Sequence, residues 1–156
     1  MKKIFLFSFI VIFVLAGVFG FYLLDNYPEI KAEKVIEKYY KAFIKEENDK
    51  AFEQLRIYDT QPMKGTKLSN EEALEIYLEK MEFLKKEKYK ITDFKIVDVE
   101  YEDGHSFWHH LEVEGEINGE PFVMKENAII VDGKLVIGSS EDPFVEYRDG
   151  KMEIEF

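Results

Sequence analysis

Between residues 28 and 88, apolar residues recur three or four positions apart with Lys and Glu between them, a spacing typical of amphipathic helices. Pro28 is suited to the start of the first helix. A second, short helix can begin at Asn48 or Asp49, since both residue types cap helix N-termini. The third begins at Ser69, which opens an S-x-x-E capping box. The sequence therefore predicts three consecutive helices.

Beyond Lys90 the period changes from 3.6 residues to 2, which indicates β-strands. The predicted strands are 91–101, 107–117, 122–131 and 134–139. The dipeptides Asn118-Gly119 and Asp132-Gly133 are strong signals for two-residue hairpin turns. A further strand pair, 145–148 and 151–156, is predicted around Asp149-Gly150. The expected fold is α+β, with three helices packed on one face of an antiparallel sheet and an extra C-terminal β-hairpin.

An uncharged apolar run from Ile4 to Leu24 precedes these elements. Its 21 residues would span roughly 31 Å as a helix, about the thickness of a bilayer core. Lys2 and Lys3 stand before the run and an acidic chain follows it, which places the N-terminus in the cytoplasm. We therefore expect a single-pass protein of the cell membrane whose domain is extracytoplasmic.

A cleaved signal peptide is the alternative interpretation of this run, because Ala16, Gly17 and Gly20 provide small residues for a cleavage site. The domain would then be secreted. The apolar run continues past these residues, which favours an uncleaved anchor. The predicted organisation is a cytoplasmic stub at 1–3, a transmembrane helix or signal anchor at 4–24, a linker at 25–28, the main domain at 29–140 and the C-terminal hairpin at 141–156.

Charge and composition exclude several classes of function. The 156 residues include 21 Lys and Arg against 32 Asp and Glu, giving a formal net charge of -11. Such a chain repels phosphate backbones, so we expect no nucleic-acid partner. The chain has no cysteine, which excludes disulfides, thiolate metal sites and a cysteine nucleophile. It also lacks a phosphate-binding glycine loop, and strand alternation separates His109 from His110, so we expect neither a cofactor nor a metal.

In the order of its elements, its long first helix and the closing hairpin at 128–137, the chain resembles the NTF2-like superfamily. This superfamily comprises cystatin-like α+β cones, including ketosteroid isomerases and many small exported bacterial domains. The resemblance covers roughly residues 29–140 and includes no catalytic signature. It implies a curved sheet whose helix-covered face also lines a pocket.

Three polar residues interrupt the otherwise apolar face that the hairpin turns define. They are His109, Glu126 and Ser139, with Ser139 placed directly opposite Glu126 by the predicted register. In an NTF2-like cone these residues would line the pocket, where His109 and Glu126 could act as an acid–base pair or bind a polar ligand group. The alternative is that they are satisfied polar residues at the open end of the sheet.

The register of the first strand is open between two versions. A three-residue loop at 102–104 would place Val99 opposite Phe107 and requires a bulge near residues 96–97. A two-residue loop would instead turn Asp98 toward His109 and enlarge the polar cluster. The pattern of apolar residues favours the bulged version.

The opposite sheet face is partly apolar and needs a cover. The predicted C-terminal hairpin, with Val145, Tyr147, Met152, Ile154 and Phe156, could provide that cover, and so could a second subunit. We call this interaction patch the outer patch; its residues are Trp108, Ile129, Val131 and Val136.

The favoured function is that of a membrane-tethered, non-catalytic module that binds an unidentified small-molecule ligand or a protein. An alternative is a small pocket enzyme, a proton-transfer isomerase or lyase, using His109 and Glu126. A third hypothesis is a membrane-assembly subunit whose span packs through Gly17 and Gly20. The expected partners are the membrane itself and either a second copy of the chain or a membrane protein.

Overall fold

The computed structural model describes residue 20 and residues 28–102 and 106–153. The predicted span at 4–24 lies outside this part of the chain apart from Gly20. None of the helices formed by the described residues is both long enough and apolar enough to cross a membrane. The chain divides into two compact units, residues 1–31 and residues 32–156, and the second unit carries the sheet and the core.

The three predicted helices are present. They are α1 (Pro28–Ile44), α2 (Asn48–Phe52) and α3 (Asn70–Lys86). The predicted capping box is confirmed, because the Ser69 hydroxyl accepts a hydrogen bond from the Glu72 backbone N–H while the Glu72 carboxylate accepts one from the Ser69 backbone N–H. These bonds satisfy donors that the first turn of a helix otherwise leaves without partners.

Four antiparallel strands form one sheet in the order of the sequence. They are β1 (Tyr89–Glu102), β2 (Ser106–Ile117), β3 (Glu120–Val131) and β4 (Lys134–Ser140). Both predicted hairpin turns are confirmed, since Asn118-Gly119 and Asp132-Gly133 have positive φ angles at both positions, as a type I′ turn requires. The predicted pairing of β2 with β3 is also confirmed, with His109 opposite Ala128.

The first strand contains the predicted bulge, since its register shifts between Ile96 and Asp98. The predicted partner of Val99 was wrong: Val99 lies opposite His109, and Tyr101 lies opposite Phe107. The reason is that pairing continues to the very end of both strands, so the connection is one residue later than expected. Val99 still shares a sheet face with His109, as the bulged version required.

The helices bury one face of the sheet in a core rich in tyrosine. Tyr39 and Tyr40 of α1 and Tyr77 of α3 are completely buried. The ring of Tyr40 stacks on Phe94 of β1 with a centroid separation of 4.7 Å. Burial of these large rings removes apolar area from water and thereby stabilises the fold.

The predicted C-terminal hairpin was wrong in the part that the structure describes. Val145–Arg148 forms a short helix, α4, and the ring of Tyr147 stacks on Phe83 of α3 at a centroid separation of 4.2 Å. Met152 is buried in the core. These side chains therefore pack against the helices and do not cover the outer patch, while Ile154 and Phe156 lie outside the described residues.

Two short extended segments complete the edge of the sheet beyond β4. The backbone N–H of Arg56 donates to the Leu135 carbonyl over 2.8 Å, and the Leu135 N–H donates to the Gln54 carbonyl over 2.7 Å. Tyr58 then pairs with the C-terminal segment, accepting from the Met152 N–H and donating to the Gly150 carbonyl. The outer edge of β4 is thereby protected from pairing with another chain.

Candidate functional site

The structure brings two of the three predicted pocket residues to the helix-covered face of the sheet. His109 on β2 is completely buried, and Glu126 on β3 is 2% exposed. Ser139 is not with them: it is exposed on the opposite face, where its hydroxyl accepts a hydrogen bond from the Asn127 amide over 3.0 Å. The predicted opposition of Ser139 and Glu126 was therefore wrong.

A bulge in the last hairpin explains the difference. The pairing of β3 with β4 shifts between Glu126 and Ala128, which places Ser140 opposite Glu126. The Ser140 hydroxyl donates to Oε2 of Glu126 over 3.1 Å. A slip of one residue reverses the face that each side chain points to, and the sequence has a serine at both positions.

The main partner of Glu126 is Arg148, which the sequence analysis did not single out. The Arg148 guanidinium is completely buried and grips Glu126 with two nitrogens, Nη2 binding Oε2 and Nη1 lying 3.4 Å from Oε1. Its Nε atom donates to Oδ2 of Asp142 over 2.5 Å. The planar guanidinium matches two carboxylates at once, a geometry that lysine cannot reproduce.

Surrounding groups complete this buried cluster, which we call the Arg148 cluster (Glu126, Ser140, Asp142 and Arg148). The Tyr89 hydroxyl donates to Asp142 over 2.7 Å, and the Tyr39 hydroxyl donates to the Arg148 backbone carbonyl over 2.5 Å. Burial alone would lower the pKa of Arg148, but the adjacent Glu126 carboxylate holds that pKa well above its usual value. Arg148 is therefore a permanent positive charge inside the core.

A second buried cation lies beside this cluster. The Lys80 ammonium of α3 donates to the Asp149 carbonyl over 2.9 Å, to the Lys151 carbonyl over 2.8 Å and to the Asp149 carboxylate over 3.3 Å. The other carboxylate oxygen of Asp149 accepts from the Tyr58 hydroxyl. Burial lowers the pKa of Lys80 to about 8, and the Asp149 carboxylate offsets only part of that effect.

Two features of the sequence could have pointed to these residues. Only two of the 21 basic residues are arginines, Arg56 and Arg148, and all the others are lysines. Such selective use fits a site that needs a bidentate donor. Asp142-Pro143 is in addition a turn signal, which argues against a continuous strand through this region.

His109 and Glu126 line none of three well-formed clefts on the surface of the described residues. The first, of about 380 Å³, lies between the C-terminal ends of α1 and α3 and the start of β1. The second separates α1 from β1, and its lining includes Glu33, Glu37, Asp93 and Asp98. The third, of about 350 Å³, lies on the outer sheet face around Trp108.

The side chains of the outer patch are less exposed to solvent than their position on the outer sheet face suggests. Val136 is buried, while Trp108, Ile129 and Val131 are half-buried. The six-membered ring of Trp108 lies over Gly138 of β4, so close that a β-carbon there would be 2.7 Å from Cζ3. The indole N–H donates to the Glu102 carboxylate. Trp108 is thus held against the sheet by packing on one side and a hydrogen bond on the other.

No protein-family model matches the chain, and no curated protein has significant sequence similarity to it.

Proposed function

We propose that this chain is a membrane-tethered, extracytoplasmic domain of NTF2-like type that acts as a non-catalytic interaction module and binds through its surface. The observation that carries this proposal is the bidentate interaction of the Arg148 guanidinium with the Glu126 carboxylate, in which both side chains are buried. The space beside the candidate pocket carboxylate is filled by a side chain of the same molecule.

The chemistry of Glu126 supports a structural role. A general base has to reach a substrate proton directly or through one water molecule. Glu126 instead binds the Arg148 guanidinium and the Ser140 hydroxyl. Releasing it would leave a buried guanidinium with half of its partners, which costs several kcal/mol.

The tether rests on the N-terminal apolar run. Residues 4–24 carry no charge and follow two lysines, whereas the rest of the chain is strongly acidic. This asymmetry favours export of everything after the run. The buried carboxylates of the described residues, Glu126, Asp142 and Asp149, all have hydrogen-bond partners within the protein. A domain of this kind, held at the outer surface of a membrane, is suited to binding rather than to turnover.

Native mass spectrometry of the full chain tests the closed interior. We expect either the bare polypeptide mass or the mass of a complex with a small molecule that the Trp108→Ala variant no longer binds. In both cases the interior remains filled by protein side chains. A bound small molecule that Trp108→Ala retains as firmly as the parent, but that Glu126→Gln releases, would overturn the proposal, because the interior carboxylate would then hold it. The denatured mass of each preparation is the control for covalent modification.

Cysteine labelling tests the topology, because the chain has no cysteine of its own. Met63 is 74% exposed, so Met63→Cys introduces an accessible thiol into the domain without touching the core. We expect a membrane-impermeant maleimide to label this variant in intact bacterial cells, and to label the matched Lys3→Cys variant only after lysis. Protection of Met63→Cys until lysis would overturn the extracytoplasmic assignment.

A further inference from the structure

A row of polar side chains crosses all four strands on the outer sheet face. Nε2 of His110 lies 3.2 Å from the Glu100 carboxylate, and its Nδ1 lies 2.7 Å from the Asn127 amide oxygen. The Asn127 amide nitrogen then donates to the Ser139 hydroxyl over 3.0 Å. One residue from each strand therefore contributes to a continuous hydrogen-bonded row.

Trp108 stands beside this row, and the two together form the third cleft. Its lining consists of Glu100, Glu102, Trp108, His110, Asn127 and Ser139 around Gly138. The volume of about 350 Å³ lies within the usual range for small-ligand sites. We call this cleft the Trp108 groove.

We propose that the Trp108 groove binds an uncharged pyranose sugar, as one unit of an extracellular polysaccharide. The face of an indole ring is electron-rich and attracts the C–H bonds on the apolar face of a pyranose. Sugar hydroxyls both donate and accept, and the carboxylate, imidazole, amide and hydroxyl groups of the row supply both functions.

The arrangement favours binding because its parts are already ordered. The Trp108 ring is held by Gly138 beneath it and by the Glu102 carboxylate, and the polar side chains orient one another. Little side-chain entropy is then lost when a ligand binds. The two carboxylates, Glu100 and Glu102, repel acidic sugars, which selects an uncharged ring.

This site rests on the proposed function in one respect, because a polysaccharide partner requires that the domain be extracytoplasmic. Trp108 is the single tryptophan of the chain, so its fluorescence reports on the groove alone. The full chain, purified in a detergent without a sugar headgroup, would be titrated separately with N,N′,N″-triacetylchitotriose, cellotriose and maltotriose, all of which are uncharged. We expect at least one trisaccharide to change the emission saturably at millimolar or lower concentration.

Two variants separate the groove from the rest of the sheet. Asn127→Ala removes the centre of the polar row and should weaken binding by about tenfold, the effect of losing one or two hydrogen bonds. Val123→Ala is the matched control, because Val123 is 63% exposed on the same face of the same strand and outside the groove lining. It should bind the sugar as the parent does.

Three outcomes would overturn the sugar site. The emission could respond to none of the three sugars up to their solubility, or the response could be the same in Asn127→Ala as in the parent. In the third outcome the protein self-associates and a second copy shields Trp108 from soluble quenchers. Failure here, together with external labelling of Met63→Cys and a bare native mass, would refute the sugar site and leave the proposed function standing. Internal location of Met63→Cys would refute the proposed function itself.

Discussion

The Nε atom of Arg148 lies 2.5 Å from Oδ2 of Asp142, and both side chains are fully excluded from solvent. Asp142 precedes α4 and Arg148 is the last residue of α4, only six positions later, so this short segment contains both partners of a buried ion pair. Glu126 of β3 then binds the other side of the same guanidinium and ties the segment to the sheet. The C-terminal segment is therefore part of the core rather than an appendage to it.

Replacing the buried arginine tests this conclusion most directly. Arg148→Met should lower the free energy of unfolding by about 3–5 kcal/mol, because it leaves Glu126 and Asp142 buried without their counter-ion. Urea denaturation followed by circular dichroism would measure the loss.

The other arginine of the chain provides the matched control for this experiment. Arg56 pairs with Asp132 over 3.2 Å, but the Asp132 side chain is 73% exposed. Arg56→Met should therefore cost no more than about 1 kcal/mol. Equal losses for the two variants would contradict the assigned importance of the Arg148 cluster.

The buried tyrosines predict cooperative unfolding at alkaline pH. Burial raises the pKa of Tyr39, Tyr77 and Tyr89 above the ordinary value of 10. A raised pKa in the folded state means that the stabilisation is complete below pH 10 and declines as the pH rises beyond it. The part of the phenolate absorbance that comes from the buried tyrosines should therefore appear together with the loss of circular dichroism above pH 10. Full ionisation of all tyrosines with retained secondary structure would contradict this expectation.

Lys80 predicts a dependence of opposite sign over a lower pH interval. Its pKa falls from 10.5 in the unfolded chain to about 8 in the folded one, so the unfolded state binds more protons between these values. The contribution of Lys80 to the free energy of unfolding should therefore increase from pH 8 toward pH 10. The expected slope is on the order of 1 kcal/mol per pH unit.

This dependence is measured as the difference between the parent and Lys80→Met in urea denaturation at pH 7, 8, 9 and roughly 10, the limit beyond which the tyrosines interfere. The free energy of unfolding of the parent should rise relative to that of Lys80→Met as the pH increases across this series. Lys41→Met is the matched exposed control, since the Lys41 side chain on α1 is 60% exposed and pairs with Glu37 one turn away. A constant gap for Lys80→Met would contradict the burial effect on its pKa.

The elements that could be predicted from the sequence are those determined by neighbouring residues. The capping box at Ser69, the two turns with positive φ and the bulge near Ile96 all depend on local chemistry, and all are present. The segment 145–148 depends on distant partners instead. Four residues with alternating apolar side chains fit a strand or a helical turn equally well, and the Glu126 and Phe83 contacts select the helix.

A glycine in the C-terminal segment should tolerate no side chain. A β-carbon at Gly150 would lie 1.9 Å from the backbone oxygen of Arg56, where the two segments beyond β4 pair. Gly150→Ala should therefore destabilise the fold by about 3 kcal/mol, since backbone atoms cannot give way as a flexible side chain can.

Gly133→Ala separates this steric effect from backbone strain. Gly133 has a φ of +75°, yet a β-carbon there would meet no described atom within 4 Å. Its replacement should cost only about 1 kcal/mol, which is the conformational penalty alone. Thermal unfolding of the two variants under one condition would measure the contrast, and a larger loss for Gly133→Ala would contradict the close approach at Gly150.

Neighbouring serines distinguish the observed register of the last hairpin from the one that its turn alone predicts. Ser140→Ala removes the hydroxyl that donates to Glu126 and accepts from the Asp142 backbone N–H, both in the Arg148 cluster. Leaving these partners unsatisfied should cost about 1–3 kcal/mol. Ser139→Ala removes only an exposed partner of Asn127 and should change stability by less than about 0.5 kcal/mol. The reverse order of the two losses in urea denaturation would show that Ser139 faces Glu126 and that β3 and β4 pair without the bulge.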